Sequence, residues 1–367
     1  MMMLDRRLIL HFDWTLDLLA ASLAILGRFG IYSTSVSPAT MYKKAFFFRQ
    51  LLWFFLGSCA FFFLSSLNYR SVSRFAYIFY GLSLISLVLV DIIGKQGLGA
   101  QRWVSLGPFT FQPSEFTKIA LILAIARYFD DHKDALGKIK TLLIPGLMAL
   151  IPIALVLKQP NLGTAILLLF ICLVLFSFTT LKPRHFLYLT ITGVLSGPLL
   201  WSLLKGYQRQ RILIFLHPNL DPLGAGYHIT QSKIAVGSGG FWGKGILAST
   251  QSQLMFLPES HTDFIFAVLA EQLGFLGSIF ILILYLALIS RGLEIVKEAK
   301  DVLAFVLSIG VVGMITLQVV INIGMVIGIM PIVGIPLPLM SYGGSSVLAT
   351  MMALGLLLSI RMRRFLY

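Results

Sequence analysis

The chain has 367 residues, 57% of them hydrophobic and only 12% charged, with a formal net charge of +14. Soluble domains carry about 25% charged residues, and a mean hydropathy of +0.89 leaves too little polar surface to cover a water-soluble globule. The basic excess is scattered through short connections, with no basic tail and no aromatic-basic array; it excludes a nucleic-acid binder and fits the positive-inside bias and anionic lipids.

Apolar runs of roughly 18 or more residues read as spanning helices, and here they continue almost end to end. The first, 14–32, follows a Met1–Leu10 segment too polar for the core of a signal peptide. No convincing small-residue cleavage site follows it, so it is expected to stay as the first span. Further spans are expected at 46–67, 74–93, 115–130, 141–157, 162–180, 185–204, 263–290, 301–328 and 336–360. The pattern predicts an all-α polytopic transmembrane bundle of about ten spans. It forms a single integral membrane domain over 1–367 with one large loop at 205–262. Cys59 and Cys172 both fall inside apolar runs and imply no disulfide framework and no metal knuckle.

Short-loop Lys and Arg place both termini in the cytoplasm, with Arg70, Arg74, Lys133, Lys138, Lys140, Arg291, Lys297, Lys300, Arg361, Arg363 and Arg364 on that side. The opposite face receives Lys95, Arg102, Lys205, Arg209, Arg211, Lys233 and Lys244. That is more positive charge than anchoring needs, and it asks for an anionic partner. Three connections on that face have an irregular texture: GLGAQRWVSLGPFTFQPSE at 97–115, the Gly- and Pro-rich 205–262 stretch, and IMPIVGIPLPLMSYGGSS at 329–346. Irregular backbone at membrane depth is tolerated where it is buried in protein or lines a polar cavity, so the three are expected to share one.

Asp263 stands where the loop LPESHTDF enters the eighth span. One reading is a good first-turn carboxylate, favoured by the helix dipole; the other is a partly desolvated general base, tuned by Glu259 and His261. Glu115 and Lys118 open the fourth span at i, i+3 spacing and can pair on one face. They are either a snorkelling interfacial pair or the frame of a lysine that faces a phosphate. Arg209 and Arg211, in YQRQRI, suit either anchoring or a diphosphate, which matches arginine's fork of donors. Glu271, two turns beyond Asp263, reads as a structural hydrogen-bonder. GSGGFWGKG at 237–245 lacks phosphate-loop spacing and reads as a flexible surface turn. Ser341 lies in SYGGSS, a candidate bent helix entry with its N–H groups toward the cavity. Arg28, deep in the first span, has no account from sequence. No zinc pattern and no Ser-His-Asp arrangement is present.

Together these motifs resemble the SEDS family of bacterial membrane proteins (shape, elongation, division and sporulation), from about residue 14 to 360. The pieces that carry the resemblance are the 97–115 motif, KQPNLGTA at 158–165, YQRQRI at 207–212, DPLGAGYHITQSKIAVGSGG at 221–240, STQSQLMFLPESHTDFIFAVLAEQLGFLG at 249–277 and INIGMVIGIMPIVGIPLPLMSYGGSS at 321–346. TQSQL and GIPLPLMSYGGSS are similar to the elongation branch rather than the division branch.

The resemblance implies a peptidoglycan glycosyltransferase that polymerises lipid II on the outer face of the cytoplasmic membrane. Its essential aspartate falls on Asp263 and its charged pair on Glu115 and Lys118. Arg102, Arg209, Arg211, Glu259, His261 and Ser341 are the further substrate-binding candidates. A class B penicillin-binding protein, other elongation-complex proteins and membrane lipids are the implied partners. No organic cofactor is implied. Mg²⁺ or another divalent cation stays open, because Asn161 stands where the family commonly has Asp; Gln272 in AEQLG is a milder departure. The alternatives are a lipid II flippase, which a bundle with broken helices also suits, and a non-catalytic cell-wall scaffold.

Overall fold

The computed structural model describes residues 11–35, 44–97, 100–106, 109–181, 185, 202, 206–222, 224–245, 251, 256–257 and 261–365. It is a helical bundle. In chain order the helices are α1 (Trp14–Ser35), α2 (Lys44–Ser66), the short α3 (Tyr69–Ser73), α4 (Ala76–Ile93), α5 (Pro113–Asp131), α6 (Leu143–Lys158) and α7 (Leu162–Thr179). They continue with α8 (Gly206–Leu216), α9 (Ala225–Ser238), α10 (Ile265–Lys297), α11 (Val302–Val326) and α12 (Gly344–Arg363). Eight of these are long and apolar enough to cross a membrane. Their outward side chains include Phe55, Phe63, Ile78, Ile92, Ile283 and Leu286, the inverse of a water-soluble surface.

Nine expected spans appear as helices, and the seventh, 185–204, lies outside the described residues apart from His185 and Ser202. Three expectations need correction. The 97–115 connection is not merely irregular: Lys95–Gly97 (β1), Ala100–Leu106 (β2) and Phe109–Phe111 (β3) form an antiparallel meander in the order β1-β2-β3. Among the described residues, the 205–262 loop carries the helices α8 and α9. The last span begins at Gly344, not 336, and 327–343 has no regular structure. A Pro at 331, 336 and 338 removes three backbone donors, so no helix can run through that segment.

α5 is among the most enclosed helices although not among the most apolar. Pro113 starts it, where the missing N–H costs nothing, and all but one of residues 113–126 are buried. Small residues bring the central helices close, as is usual between membrane helices. A Cβ on Gly355 would come within 2.6 Å of the Phe61 carbonyl oxygen, fixing α12 against α2, and one on Gly310 would meet Ile122 between α11 and α5. The face that carries His11 and Phe365 is closed by charge. Asp13 pairs with Arg291 at 2.8 Å, Arg70 with Asp301 at 2.5 Å, and Glu298 with Arg361 and Arg364. Arg363 is buried and donates to the carbonyls of Ser65 and Ser66, which ends α2 with its last carbonyls satisfied. His11 and Phe365 lie 4.3 Å apart, so residues near the two chain ends share that face.

Candidate active site

The 327–343 segment is the centre of the opposite face. From Val333 to Ser341 it is largely buried without a helix or sheet to satisfy its backbone, so the polar groups there must find partners elsewhere. Side chains from surrounding helices supply them. Asn322 on α11 donates to the Ile335 carbonyl at 2.7 Å, Tyr285 on α10 to that of Pro338 at 2.6 Å, and Gln50 on α2 to that of Ser341 at 3.2 Å. Arg211 on α8 donates to the Ile332 carbonyl at 3.2 Å, and Gln50 accepts from the Gly343 N–H at 3.2 Å. Leu339 holds φ 65, a conformation costly for a non-glycine residue and sustained only when the surroundings fix it.

Asp263 is seated on this segment. A Cβ at Gly334, φ 70, would sit 3.3 Å from its Oδ2. The loop that carries it is fastened at three points. Asn322 donates to the Asp263 carbonyl oxygen at 2.9 Å, Ser341 Oγ to that of Thr262 at 2.6 Å, and the Tyr342 N–H to that of His261 at 2.8 Å. Asp263 lies in the turn before α10, two residues ahead of the helix, and is partly exposed. It is neither a first-turn helix residue nor fully buried. His261 stacks on Phe46 at 5.1 Å and lies 5.6 Å from the Tyr342 ring. Burial raises the Tyr342 hydroxyl above its ordinary pKa.

The other motifs reach the same segment by different routes. A Cβ on Gly163, at the start of α7, would meet the Val333 carbonyl oxygen at 2.3 Å. Asn161 caps that helix, accepting from the Thr164 N–H; Asn serves as well as Asp there, so the departure from the family pattern keeps the cap. Arg102 on β2 donates to the carbonyls of Gln159 and Pro160 and so ties the meander to the α6–α7 turn. The Gln112 N–H donates to Ser345 Oγ at 3.0 Å, tying the start of α5 to that of α12. One turn on, Lys118 and Glu115 pair at 2.8 Å, both almost fully buried. A cavity of about 520 Å³ opens on another face of α5, walled by Leu64, Phe79, Phe111, Phe116, Ile119 and Leu123, and the ion pair does not line it.

The sequence candidates therefore separate. Asp263, His261, Ser341 and Arg211 meet at the 327–343 segment; Arg102, Glu115 and Lys118 stand at elements joined to it. Ser341 corrects its expectation: it is buried, and its hydroxyl both donates to Thr262 and accepts from the Leu337 N–H, so it fastens the loop rather than meeting a substrate. Lys118 faces Glu115. Arg209 bonds the Ser202 carbonyl at 2.6 Å. Glu259 lies outside the described residues. Glu271 is structural as read, fully buried and paired with Lys244 at 2.8 Å. The 237–245 turn is held rather than loose: main-chain bonds join Lys244 to Glu271 and Gly245 to Gln272. Arg28 lies over the Phe54 ring at 4.1 Å, which accounts for a cation in the first span. Sequence reasoning assigned no role to Asn322 or Gln50. Both are polar residues inside apolar runs, which by itself marks them as bundle-facing.

The chain is similar to known proteins over nearly its whole length. Residues 13–365 match the FtsW, RodA and SpoVE family model, described as cell cycle protein. The chain is 41% identical over 356 residues to the peptidoglycan glycosyltransferase MrdB of Escherichia coli K12, covering 96% of this chain and 94% of that one. It is 37% identical over 355 residues to the stage V sporulation protein E of Bacillus subtilis, covering 95% and 96%. A solved chain from a peptidoglycan synthase complex that coordinates polymerization and crosslinking superimposes with a TM-score of 0.81 at 34% identity, covering 96% and 98%. The rod shape determining protein RodA of Thermus thermophilus does so at 0.71 and 31%, with the same coverage. Fold, motif order and extent agree from end to end: this chain belongs to the FtsW, RodA and SpoVE family of membrane proteins.

Proposed function

We propose that this protein is a peptidoglycan glycosyltransferase that polymerises lipid II into glycan strands during cell elongation. The site lies on the outer face of the cytoplasmic membrane and both termini lie inside. The observation that carries this reading is the seating of Asp263. A carboxylate is held on a fixed, non-helical segment, on a loop fastened by neutral groups, and cations stand on the adjoining elements.

Chain growth needs the 4-hydroxyl of an acceptor sugar to attack the anomeric carbon of a donor. Asp263 takes the hydroxyl proton as the new C–O bond forms. The anomeric C–O bond to the diphosphate breaks, and the polyprenyl diphosphate leaves with the electron pair. A single displacement inverts the anomeric centre. General-base help of this kind is worth roughly 10²–10⁴-fold. Stabilising the departing diphosphate is the larger electrostatic term, and Lys118, Arg102, Arg209 and Arg211 are the cations proposed for it. Arg211 has Nη1 on Ile332 and keeps further donors of its fork for a phosphate. The apolar cavity walled by Phe111, Phe116 and Ile119 suits the polyprenyl chain. A divalent cation has no ready cage: among the described residues no three His, Cys, Asp or Glu side chains gather, so no step is routed through one. The proposed partner is a class B penicillin-binding protein that crosslinks the emerging strand.

Purified protein and its partner, given lipid II in detergent, should make glycan strands, and Asp263→Ala should lower the rate by about 10²-fold or more. Detergent removes membrane sidedness, so synthesis there separates a transferase from a flippase. Undiminished strands from Asp263→Ala would sink the base assignment.

A further inference from the structure

α10 changes its surroundings at one residue. From Ile265 to Gln272 every residue is buried in protein, whereas Phe275, Leu276, Phe280, Ile283 and Leu286 face outward. Between them Gly274, at φ 66 and ψ −162, breaks the helix. The part beyond the break runs from Phe275 to Lys297; at 1.5 Å per residue it is about 34 Å long, enough for a bilayer core of about 30 Å. The lipid-facing length of α10 therefore begins at the break.

The 239–245 turn is clipped onto that break. The Phe275 N–H donates to Gly240 at 2.9 Å, and the Gly245 N–H to Gln272 at 3.0 Å. Lys244 adds its ion pair with Glu271. A Cβ on Gly243, φ 82, would lie 2.2 Å from the Gln272 carbonyl oxygen, so only glycine fits. Held this way, Phe241 stacks on Phe275 at 5.9 Å and meets Trp242 edge-on at 5.4 Å. Trp242 is nonetheless 78% exposed and Phe241 53%. The turn extends the outward apolar face of α10 just where that face begins. Aromatic residues with this placement partition into the headgroup region of a bilayer.

We propose that the Phe241–Trp242 turn is an outer-leaflet lipid anchor that fixes the depth of the Gly274 break, and with it the height of the buried half of α10 that follows Asp263. The occupant is the lipid surface; only the choice of leaflet rests on the orientation given above. The test uses the full chain in vesicles of phosphatidylethanolamine and phosphatidylglycerol. Cys59, which is exposed, is replaced by Ser, and buried Cys172 is kept. A nitroxide is attached at Trp242→Cys and its relaxation measured with oxygen, which partitions into lipid, and with a water-soluble nickel chelate. Leu286→Cys is the lipid reference and Asp134→Cys the aqueous one. The anchor requires oxygen accessibility severalfold above nickel accessibility at 242, as at 286. A pattern like that at 134 overturns it. So does a label reached by neither reagent, which would mean that protein covers the turn. A second label at Phe241→Cys should agree with the first. Glycan synthesis by the same variants is read separately: its loss bears on the proposed reaction and leaves the depth measurement intact.

Discussion

The two faces of the bundle are closed by different chemistry. On the face with the chain ends, ionised groups answer one another: Asp13 with Arg291 and Arg361, Asp301 with Arg70, Glu298 with Arg361 and Arg364. On the Asp263 face, the groups that hold the 327–343 segment and the Asp263 loop are, apart from Arg211, neutral: Asn322, Gln50, Tyr285, Ser341 and the main chain. Charges paired at close range leave little field for a ligand. Amides and hydroxyls fix a backbone just as firmly and leave the ionised groups around it to act on a substrate. The difference explains why an irregular segment can be rigid without a salt bridge.

The Asp263 face also holds an ion pair that is almost fully buried on both sides, Glu115–Lys118, and it gives the largest expected effect. Lys118→Met alone leaves a buried carboxylate uncompensated and should cost about 3–5 kcal/mol, read by denaturation in detergent. Glu115→Gln with Lys118→Met should recover most of that stability, because replacing both members of a buried pair is close to neutral. Glycan synthesis should stay low in the double variant if Lys118 serves the diphosphate. Synthesis that returns with stability would reduce the pair to architecture.

Asn322→Leu attacks the neutral fasteners. It strips the carbonyls of Asp263 and Ile335 of their shared donor. Each buried group left unsatisfied costs about 1–3 kcal/mol, so a loss of about 2–4 kcal/mol is expected, with synthesis falling further than stability because the Asp263 loop is released. Asn322→Gln should fail too, since its longer side chain cannot hold both carbonyls. A variant with full synthesis would show that the loop is held by other means.

Much of this was legible in the sequence, and the reasons differ by region. Apolar length is set by the bilayer, so the helices appear where the runs predict them. Asp263 and the Glu115–Lys118 pair were legible because a carboxylate or an ammonium beside an apolar run is costly unless it has work or a partner. The meander was not foreseen: its strands are short, and Gly and Pro separate β2 from β3. Ser341 was misread because a hydroxyl in a Gly-rich stretch gives no sign of what it bonds; only the fold shows Thr262 beneath it. The unity of the site was out of reach for the same reason. Asn322 and Gln50 are separated by 272 positions, and nothing in either run states that both reach one segment.

Arg363→Met sharpens the comparison from the other face. The guanidinium holds carbonyls at the end of α2 and the Ser359 hydroxyl. Its loss should cost about 1.5–3 kcal/mol, the range for hydrogen bonds to a charged group. Synthesis measured below the unfolding transition should be unchanged, since the proposed site lies at the other face. A fall in synthesis at full folding would mean that the two ends are coupled through α12.

Asp301→Ala should have the smallest effect. Asp301 caps α11 through the Ala304 N–H at 2.6 Å and accepts from Arg70 and Tyr69. The cap is worth about 1 kcal/mol. The ion pair adds less than its short distance suggests, because the Arg70 side chain is 39% exposed and Asp301 20%, and solvent screens such pairs to about 0–1 kcal/mol. A total near 1–2 kcal/mol is expected, lower in high salt, with Asp301→Asn retaining the cap and losing only the salt-dependent part. A salt-independent loss would place the energy in the cap alone. The closure of this face would then rest on helix termini, as the other does on main-chain bonds, and the contrast between the faces would narrow to where the charges sit rather than what they hold.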